Sequence, residues 1–319
     1  MSHAFLDFEL PIHKLEEQIA SLSELSDAKA AQSQIKKLRA SSSKLFEKIY
    51  SNLTIWQKVQ VARHPSRPHT RDYIGKLFVE FDQLHGDRRQ GDDLAIMGGI
   101  ARLDNQPVMV IGHEKGRETR DRIARNFGMA HPEGFRKAHR LMLLAERYRM
   151  PIVSFIDTTG AYPGIEAEER GQSESIAANL ALLSKLRTPV VVVVIGEGGS
   201  GGALAIGVGD RVAMMEYAIY SVASPEACAS IIWRDSTKAD LAATAMKVDA
   251  QSLSDYGLID AVLPEPIGGA HRDYDAAAST VGRYLRSTLD ELKKMDLDDM
   301  VQRRYERIMQ FGALQDMDA

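Results

Sequence analysis

Cysteine is almost absent from this 319-residue sequence, in which Cys228 is the single example. One thiol cannot form a disulfide within the chain, and it cannot supply the ligands of a cysteine-rich zinc site. The histidines at positions 64, 69, 85 and 113 show no metal-ligand spacing either. We therefore predict a reducing, cytoplasmic location and no metal bound by this chain.

Long apolar runs are also missing. The longest extends from Val190 to Ile195 and is flanked by Pro189 and Gly196. A membrane-spanning helix needs about 20 apolar residues, so this run predicts a buried strand. The N-terminus lacks a basic segment followed by an apolar one, which argues against a secretory signal. We expect no membrane partner.

The sequence carries no excess of basic residues. It has 40 Lys and Arg against 44 Asp and Glu, for a net charge of −4 and a pI of about 6.2. Such a balance creates no field that attracts nucleic acid, which is therefore not an expected partner. The hydrophobic fraction of 44% and the charged fraction of 26% are typical of a globular protein.

The hydrophobic patterns divide the chain into three predicted regions. Residues 1–63 show helical spacing on both sides of a break at 27–33, which predicts a helical hairpin. A breaker cluster at 64–68 then opens a core that extends to residue 274. The last region, 275–319, is predicted to be a helical extension.

The predicted core alternates strands with helices. A hairpin at 94–112 precedes a helix at 135–148, a strand at 151–156, a helix at 168–186 and a strand at 189–195. A short helix at 203–208 and short strands at 211–215 and 218–222 follow. This order indicates an α/β fold with a largely parallel sheet, whose central strands are buried on both faces.

A glycine-rich segment, residues 196–207 (GEGGSGGALAIG), follows the second of these strands and allows three interpretations. Gly196-x-Gly198-x-x-Gly201 matches a dinucleotide fingerprint and would suit an NAD-dependent oxidoreductase. Gly198-x-Ser200-x-Gly202 matches a nucleophile elbow, with Asp260 and His271 following in hydrolase order. The paired glycines would also serve as an oxyanion hole made of backbone amides.

A second loop, residues 157–164 (DTTGAYPG), leaves the end of the preceding strand. The carboxyl ends of parallel strands meet at one edge of a sheet, so the two loops should lie together. An oxyanion site takes amides from two such loops, whereas neither competing interpretation uses the second loop.

Several motifs in one order resemble the carboxyltransferase alpha subunit of bacterial-type acetyl-CoA carboxylase. The likeness extends from residues 5–8 (FLDF) to 303–305 (RRY). The motifs are GGIAR at 98–102, GHEKGRET at 112–119, NFGM at 126–129, DTTGAYPG at 157–164, ERGQS at 169–173, GEGGSGGALAIG at 196–207 and SPEACA at 224–229.

The resemblance implies a crotonase-like fold (a ββα superhelix) and transfer of a carboxyl group from carboxybiotin to acetyl-CoA, giving malonyl-CoA for fatty acid biosynthesis. It implies an α2β2 heterotetramer with a zinc-bearing beta subunit. Biotin would arrive on a biotin carboxyl carrier protein, with biotin carboxylase in the wider complex. A different class, a non-enzymatic scaffold whose helical ends hold a complex together, stays open beside the transferase and the oxidoreductase.

For this function we assign the catalytic role to backbone amides of Gly201 and Gly202, with Gly160 and Ala161 on the second loop. Thr159 departs from the proline usual in the family, which leaves this second loop less rigid.

Substrate contacts are predicted for five residues. Lys115 and Arg117 follow a strand and would meet coenzyme A phosphates or the carrier, although a solvated face explains them equally well. The other three are Gly198, Gly199 and Tyr162. The Ala245-Met246-Lys247 sequence imitates a biotin-attachment site, but its alanine-rich surroundings predict a helix.

Overall fold

The computed structural model describes residues 5–24 and 28–312. Its centre is one mixed sheet of eight strands. The strands are β1 (Val79–Gln83), β2 (Ile96–Leu103), β3 (Gln106–His113), β4 (Ile152–Thr158), β5 (Val190–Gly199), β6 (Arg211–Met215), β7 (Ile219–Ser221) and β8 (Ala261–Leu263).

Helices surround this sheet and form both ends of the described chain. In order they are α1 (Leu10–Glu24), α2 (Ala28–Tyr50), α3 (Ile55–Ala62), α4 (Thr70–Leu77), α5 (Thr119–Ala124), α6 (Pro132–Arg147), α7 (Ile165–Glu169), α8 (Gln172–Lys185), α9 (Ser200–Leu204), α10 (Pro225–Trp233), α11 (Ala239–Met246), α12 (Ala250–Asp255), α13 (Tyr274–Leu292) and α14 (Leu297–Met309). Within the described ranges, no helix combines the length and the apolar character needed to cross a bilayer.

The sheet has the order β1-β2-β3-β4-β5-β6-β8, and β7 pairs with the end of β5. β1, β2 and β3 pair antiparallel, with Asp104 in a left-handed conformation (φ 54°) at the turn between β2 and β3. β3 to β6 and β8 pair in parallel, so their carboxyl ends share one edge. The loops that follow β4 and β5 therefore emerge side by side.

The core lies around β4 and β5, in which every residue is buried. Five consecutive valines, 190–194, suit a strand covered on both faces, since β-branched side chains pack well in a pleated sheet. α6 contacts β2 and β3, whereas α13 contacts β5 and β8. Each helix places a stripe of buried apolar residues at helical spacing on the sheet.

Both ends of the chain are fastened by buried polar contacts. The Tyr50 hydroxyl donates to Glu9 at 2.7 Å, which joins the N-terminal segment to the end of α2. On α14, the fully buried Arg304 pairs with Asp210 at 2.8 Å and donates to three backbone carbonyls. Paired and fully hydrogen-bonded charges of this kind can be buried at an acceptable cost.

The α/β prediction and the main strands are confirmed, with differences at breaks. The helix predicted over 168–186 is two helices, because Gly171 adopts a left-handed conformation (φ 83°) between α7 and α8. α3 falls within the helical region predicted over 1–63, whereas α4, β1 and β8 had no sequence prediction. The predicted break at 27–33 is wrong from residue 28 onward, because α2 begins at Ala28; residue 27 and the end of the C-terminal extension lie outside the described residues. The three-region division stays a prediction.

Candidate active site at the ends of two parallel strands

The two glycine loops are in direct backbone contact. A Cβ atom added to Gly202 would lie 2.4 Å from the carbonyl carbon of Gly160 and 2.5 Å from the Ala161 amide nitrogen. Only a residue without a side chain allows this approach. The structure therefore brings the four predicted catalytic residues, on the two loops, into one small region.

The neighbouring glycines are explained by packing inside the chain. A Cβ on Gly199 would lie 2.1 Å from the Thr159 carbonyl oxygen, and one on Gly198 would lie 2.7 Å from the Tyr220 ring. Both glycines are buried within β5. Their predicted role in substrate contact stays a prediction, but close strand and ring packing already requires glycine at both positions.

The amides of the two loops differ in availability. The first amides of a helix have no partner inside it, and Gly201 and Gly202 lie in the first turn of α9. In the described part of the chain, neither amide has a backbone or side-chain acceptor. The Gly160 amide, by contrast, donates to the Thr158 hydroxyl at 3.1 Å. The amides left to bind a ligand are those of Gly201, Gly202 and Ala161.

An apolar cavity of about 340 Å³ opens beside Gly201. Its wall includes Leu204 on α9, Val222 after β7 and Phe311 after α14. The Arg307 guanidinium lies 5.4 Å from the centroid of the Phe311 ring at its rim. A cavity of this size and composition suits a small, largely apolar ring system held by a few polar groups.

A polar cleft of about 280 Å³ lies on the other side of the loops. At its base the Lys115 ammonium is 2.7 Å from Asp157 and 3.6 Å from Glu197, and all three side chains are largely buried. Burial raises the pKa of the Asp157 carboxyl, but the Lys115 ammonium, His69 and the Glu197 amide together lower it by more, so the net shift is downward. Arg63, on the other flank of Glu197, adds an ion pair at 2.7 Å.

This network changes the interpretation of the two predicted cationic contacts. Lys115 holds the two loops in place, because it forms ion pairs with Asp157 at the end of β4 and with Glu197 in β5. Arg117 points away from the cleft: it pairs with Asp72 and lies 5.5 Å from the centroid of the Tyr274 ring. The structure thus does not bring Arg117 to the glycine loops.

Tyr162 lies beside the second loop. Its ring stacks on His131 with centroids 4.2 Å apart, and its amide donates to the Ala130 carbonyl at 3.0 Å. Its side chain is only half-buried.

The hydrolase interpretation fails on geometry. Asp260 accepts from the Val212 amide at 2.6 Å and pairs with Arg307 at 3.0 Å, whereas the His271 ring stacks on His64. No hydrogen bond between described residues joins Ser200 to Asp260 or His271. Ser200 nevertheless occupies a strained left-handed conformation (φ 53°), as the turn from β5 into α9 demands.

A group of potential metal ligands lies elsewhere, under the N-terminal segment. Glu9, His64 and His271 place ligand atoms within 4.8 Å of one another. The Glu9 carboxylate already accepts from Tyr50 at 2.7 Å and lies 3.5 Å from the Arg272 guanidinium. The nitrogen Nδ1 of His64 accepts from the Ser66 amide at 3.1 Å. These contacts indicate a polar cluster that joins separate chain segments, in preference to a metal centre.

Sequence analysis missed Asp157, Glu197 and Arg63, which form the polar network with Lys115. Asp157 stood inside a quoted motif, but no pattern connected it with Lys115, which lies 42 positions earlier in the chain. Glu197 was considered only as a spacer between glycines. Arg63 is separated from Glu197 by 134 positions, and no local signal predicts that pairing.

Comparison with known proteins extends these observations. A family model for acetyl co-enzyme A carboxylase carboxyltransferase-like proteins matches residues 5–312. The alpha subunit of acetyl-coenzyme A carboxylase carboxyl transferase from Thioalkalivibrio sulfidiphilus is 55% identical over 314 residues, 98% of each chain. The same subunit from Methylococcus capsulatus is 54% identical over 318 residues, 99% of each chain.

Solved structures agree at the level of fold. A crystal structure of transcarboxylase 12S superposes with a TM-score of 0.60 at 17% identity, covering 72% of this chain and 42% of that chain. The parallel strands with apposed glycine loops and this likeness define the class as a crotonase-fold carboxyltransferase.

Within that class, the chain belongs to the family of acetyl-CoA carboxylase carboxyl transferase alpha subunits. The prediction of a biotin-dependent carboxyltransferase subunit is thereby confirmed, and the alternative of an NAD-dependent oxidoreductase is not supported. The fingerprint-like glycines lie within and just after β5, and the helix that follows has only five residues.

Proposed function

We propose that this chain binds the biotin side of a composite active site and transfers a carboxyl group to acetyl-CoA, giving malonyl-CoA. The observation that carries the proposal is the pair of amides of Gly201 and Gly202, which have no acceptor among the described residues, together with the apolar cavity that Gly201 lines. Carboxybiotin, brought by a separate carrier protein, supplies the activated carboxyl group, and its departure leaves negative charge on the ureido oxygen.

The residues present suit such a group. The amides of Gly201 and Gly202 would donate to the ureido oxygen, and the cavity walled by Leu204, Val222 and Phe311 would hold the rings. Fixed donors of this type contribute about 3 kcal/mol each where charge develops. The Ala161 amide, on the second loop, is the third donor available in this region.

The supporting residues keep these donors in place. The Asp157 carboxylate accepts from the Glu197 amide at 3.0 Å and pairs with Lys115, which fixes the end of β5 before the turn. Ser200 then directs the chain into α9. Because the network is complete without a ligand, the chain need not reorganise when charge appears at the glycine amides.

A partner is also proposed from exposed apolar side chains, of which Val222 lines the cavity. Exposed side chains include Ile165 (77%) beside the second loop, Val222 (80%) at the cavity wall, and Ile231 (77%) with Ile232 on α10. A surface of this kind indicates a protein interface. We assign it to the carboxyltransferase beta subunit in a cytoplasmic α2β2 complex.

The remaining functions belong to other chains in this proposal. The beta subunit would carry the zinc and most of the acetyl-CoA site, and biotin carboxylase would recharge the carrier. Acyl specificity would then follow from the beta subunit, and this chain alone would be inactive.

The proposal is tested by removing one amide without changing the size of the loop. Gly201→Pro deletes the N–H, whereas Gly201→Ala keeps it and adds a Cβ whose nearest contact is Ile176 at 3.6 Å. In complexes reconstituted with the beta subunit, the proline variant should lose about 10²-fold or more in kcat for carboxyl transfer.

The alanine variant is the matched control and should stay within a few-fold of wild type. Gel filtration with the beta subunit should show that both variants assemble. Full activity of Gly201→Pro would remove the amide from the mechanism.

A further inference from the structure

A third cavity, separate from the two already described, lies between α6 and α8. Its volume is about 470 Å³, and none of the residues that line it belongs to the two glycine loops. Five arginines line it: Arg88, Arg89, Arg136, Arg140 and Arg147. Leu143, Leu144 and Ala178 form an apolar part of the wall.

The loop before β2 that carries Arg88 is fixed by one carboxylate. Asp87 Oδ1 accepts from the amides of Arg89, Gln90 and Gly91 at 2.8 to 3.0 Å. Asp87 Oδ2 pairs with Arg136 at 2.8 Å, so that arginine is neutralised within the chain. The loop is thus organised without a ligand.

Arg88 itself adopts a left-handed conformation (φ 63°), which costs a non-glycine residue free energy. Its guanidinium donates to the His85 carbonyl at 2.8 Å. Arg140, on α6, donates to the same carbonyl at 3.1 Å and to the Gly86 carbonyl at 3.1 Å. One carbonyl therefore gathers two guanidinium groups at the same wall of the cavity.

The other four arginines have no ion-pair partner in the described part of the chain. Among the described residues, no carboxylate forms an ion pair with Arg88, Arg89, Arg140 or Arg147. Burial and the neighbouring Arg88 lower the pKa of Arg140, which reports the electrostatic cost of this arrangement. The unpaired acid at the wall is the exposed Glu174.

We propose that this cavity binds a small phosphorylated ligand, whose phosphate oxygens are held by Arg88, Arg140 and Arg147. Guanidinium groups match phosphate oxygens with paired hydrogen bonds, and a multivalent anion neutralises several of them at once. The cavity volume is that of a small-molecule site, and its leucine wall would cover an apolar part of the ligand. The inference is independent of the carboxyl transfer proposed above.

The test uses inorganic pyrophosphate as the probe and the full chain at low ionic strength. Isothermal titration calorimetry of wild type should show saturable binding of one pyrophosphate per chain. Citrate, an anion of comparable charge without phosphate, should bind at least about tenfold more weakly, because it lacks the phosphate geometry.

Single substitutions then locate the site. Arg88→Ala and Arg147→Ala should each weaken pyrophosphate binding by about tenfold, the usual effect of one charge-assisted contact. Arg283→Ala is the matched control, since Arg283 is an exposed arginine on α13 that also has no ion pair. It should leave binding unchanged. Arg147 makes no hydrogen bond to another described residue, so its variant tests the site even if Arg88→Ala fails to fold.

Three results would overturn the proposal. They are no saturable binding to wild type, equal binding of citrate, or equal weakening by Arg283→Ala and Arg147→Ala. The last would mean that pyrophosphate responds to overall charge, with no specific site.

Discussion

Replacing Gly202 by alanine should separate the two glycine loops while leaving the fold in place. The new Cβ would lie 2.4 Å from the Gly160 carbonyl carbon, 2.5 Å from the Ala161 amide nitrogen and 2.8 Å from the Gly160 carbonyl oxygen. All three are backbone atoms, which cannot rotate away as a side chain can. Ordinary contact begins at 3.4 Å, so the loops must open by about 1 Å.

The size of the effect follows from this displacement. A misplacement of about 1 Å at preorganised catalytic groups lowers the rate by about 10²-fold. Overpacking at a tight contact costs about 1–3 kcal/mol, which is less than the stability of a typical domain. The variant should therefore fold, assemble and lose most of its carboxyl transfer.

The assay measures kcat and KM for carboxyl transfer between malonyl-CoA and a free biotin derivative, using complexes reconstituted with the beta subunit. Urea unfolding of the isolated chain reports the stability change separately. Gly201→Ala is again the control, because its Cβ meets only the Ile176 side chain, at 3.6 Å. Wild-type kcat in a folded Gly202→Ala variant would refute the reasoning, since the contact between the loops would then be unnecessary.

Three further predictions concern the Lys115 network, the buried His113 and the exposed face of α10. Lys115→Met leaves two buried carboxylates without their shared cation and should lower the free energy of unfolding in urea by about 3 kcal/mol; an unchanged stability would contradict the supporting role. Burial lowers the pKa of His113 from its ordinary value of 6.5 to about 4. Between these two pH values the histidine takes up a proton in the unfolded state but not in the folded state. Unfolding free energy should thus fall by about 3 kcal/mol as pH drops from about 6.5 to about 4, and His113→Asn should flatten that slope. Ile231→Asp, an exposed substitution on α10, should weaken binding of the beta subunit in calorimetry while leaving urea stability unchanged, and equal affinity would exclude α10 from the interface.

The sheet was predictable from sequence because its signal is local. The valine run at 190–194 and the hairpin around Asp104 are each specified within about ten residues, which matches the length over which strand patterns act. α7 and α8 were merged in the prediction because the helical spacing continues across Gly171, and only its left-handed backbone separates them. The sequence pattern around a single glycine does not predict whether its backbone is helical or left-handed.

The glycine segment shows why a motif alone does not determine its function. Glycine at 198 is required by the Tyr220 ring, at 199 by the Thr159 carbonyl and at 202 by the other loop. All three contacts join separate chain segments, so the local sequence does not reveal them. The same glycines therefore also matched a dinucleotide fingerprint and a nucleophile elbow. The order of several motifs along the chain, together with the second loop, separated these alternatives.

The polar network could not be predicted from sequence either, because its ion pairs also join distant chain segments. Arg63 and Lys115 reach Glu197 from separate segments of the chain, and neither pairing has a sequence spacing that repeats. Conversely, Arg117 looked equivalent to Lys115 in sequence, two positions away. The chain turns between them at Gly116, which has a left-handed conformation (φ 78°), and the two cations end in different surroundings.

The partial exposure of Gly201 bears on the role of the partner subunit proposed above. Gly201 is only partly buried, and the cavity beside it opens toward exposed Leu204 and Val222. In contact with bulk water, a unit charge is stabilised several-fold less by a fixed dipole than it is in a closed, low-dielectric site. A subunit that covers Val222 and α10 would exclude that water and strengthen the same two hydrogen bonds without moving either loop. In the proposed complex, the exposed apolar side chains would bind the subunit that excludes water, and the glycine amides would then stabilise the charge more strongly.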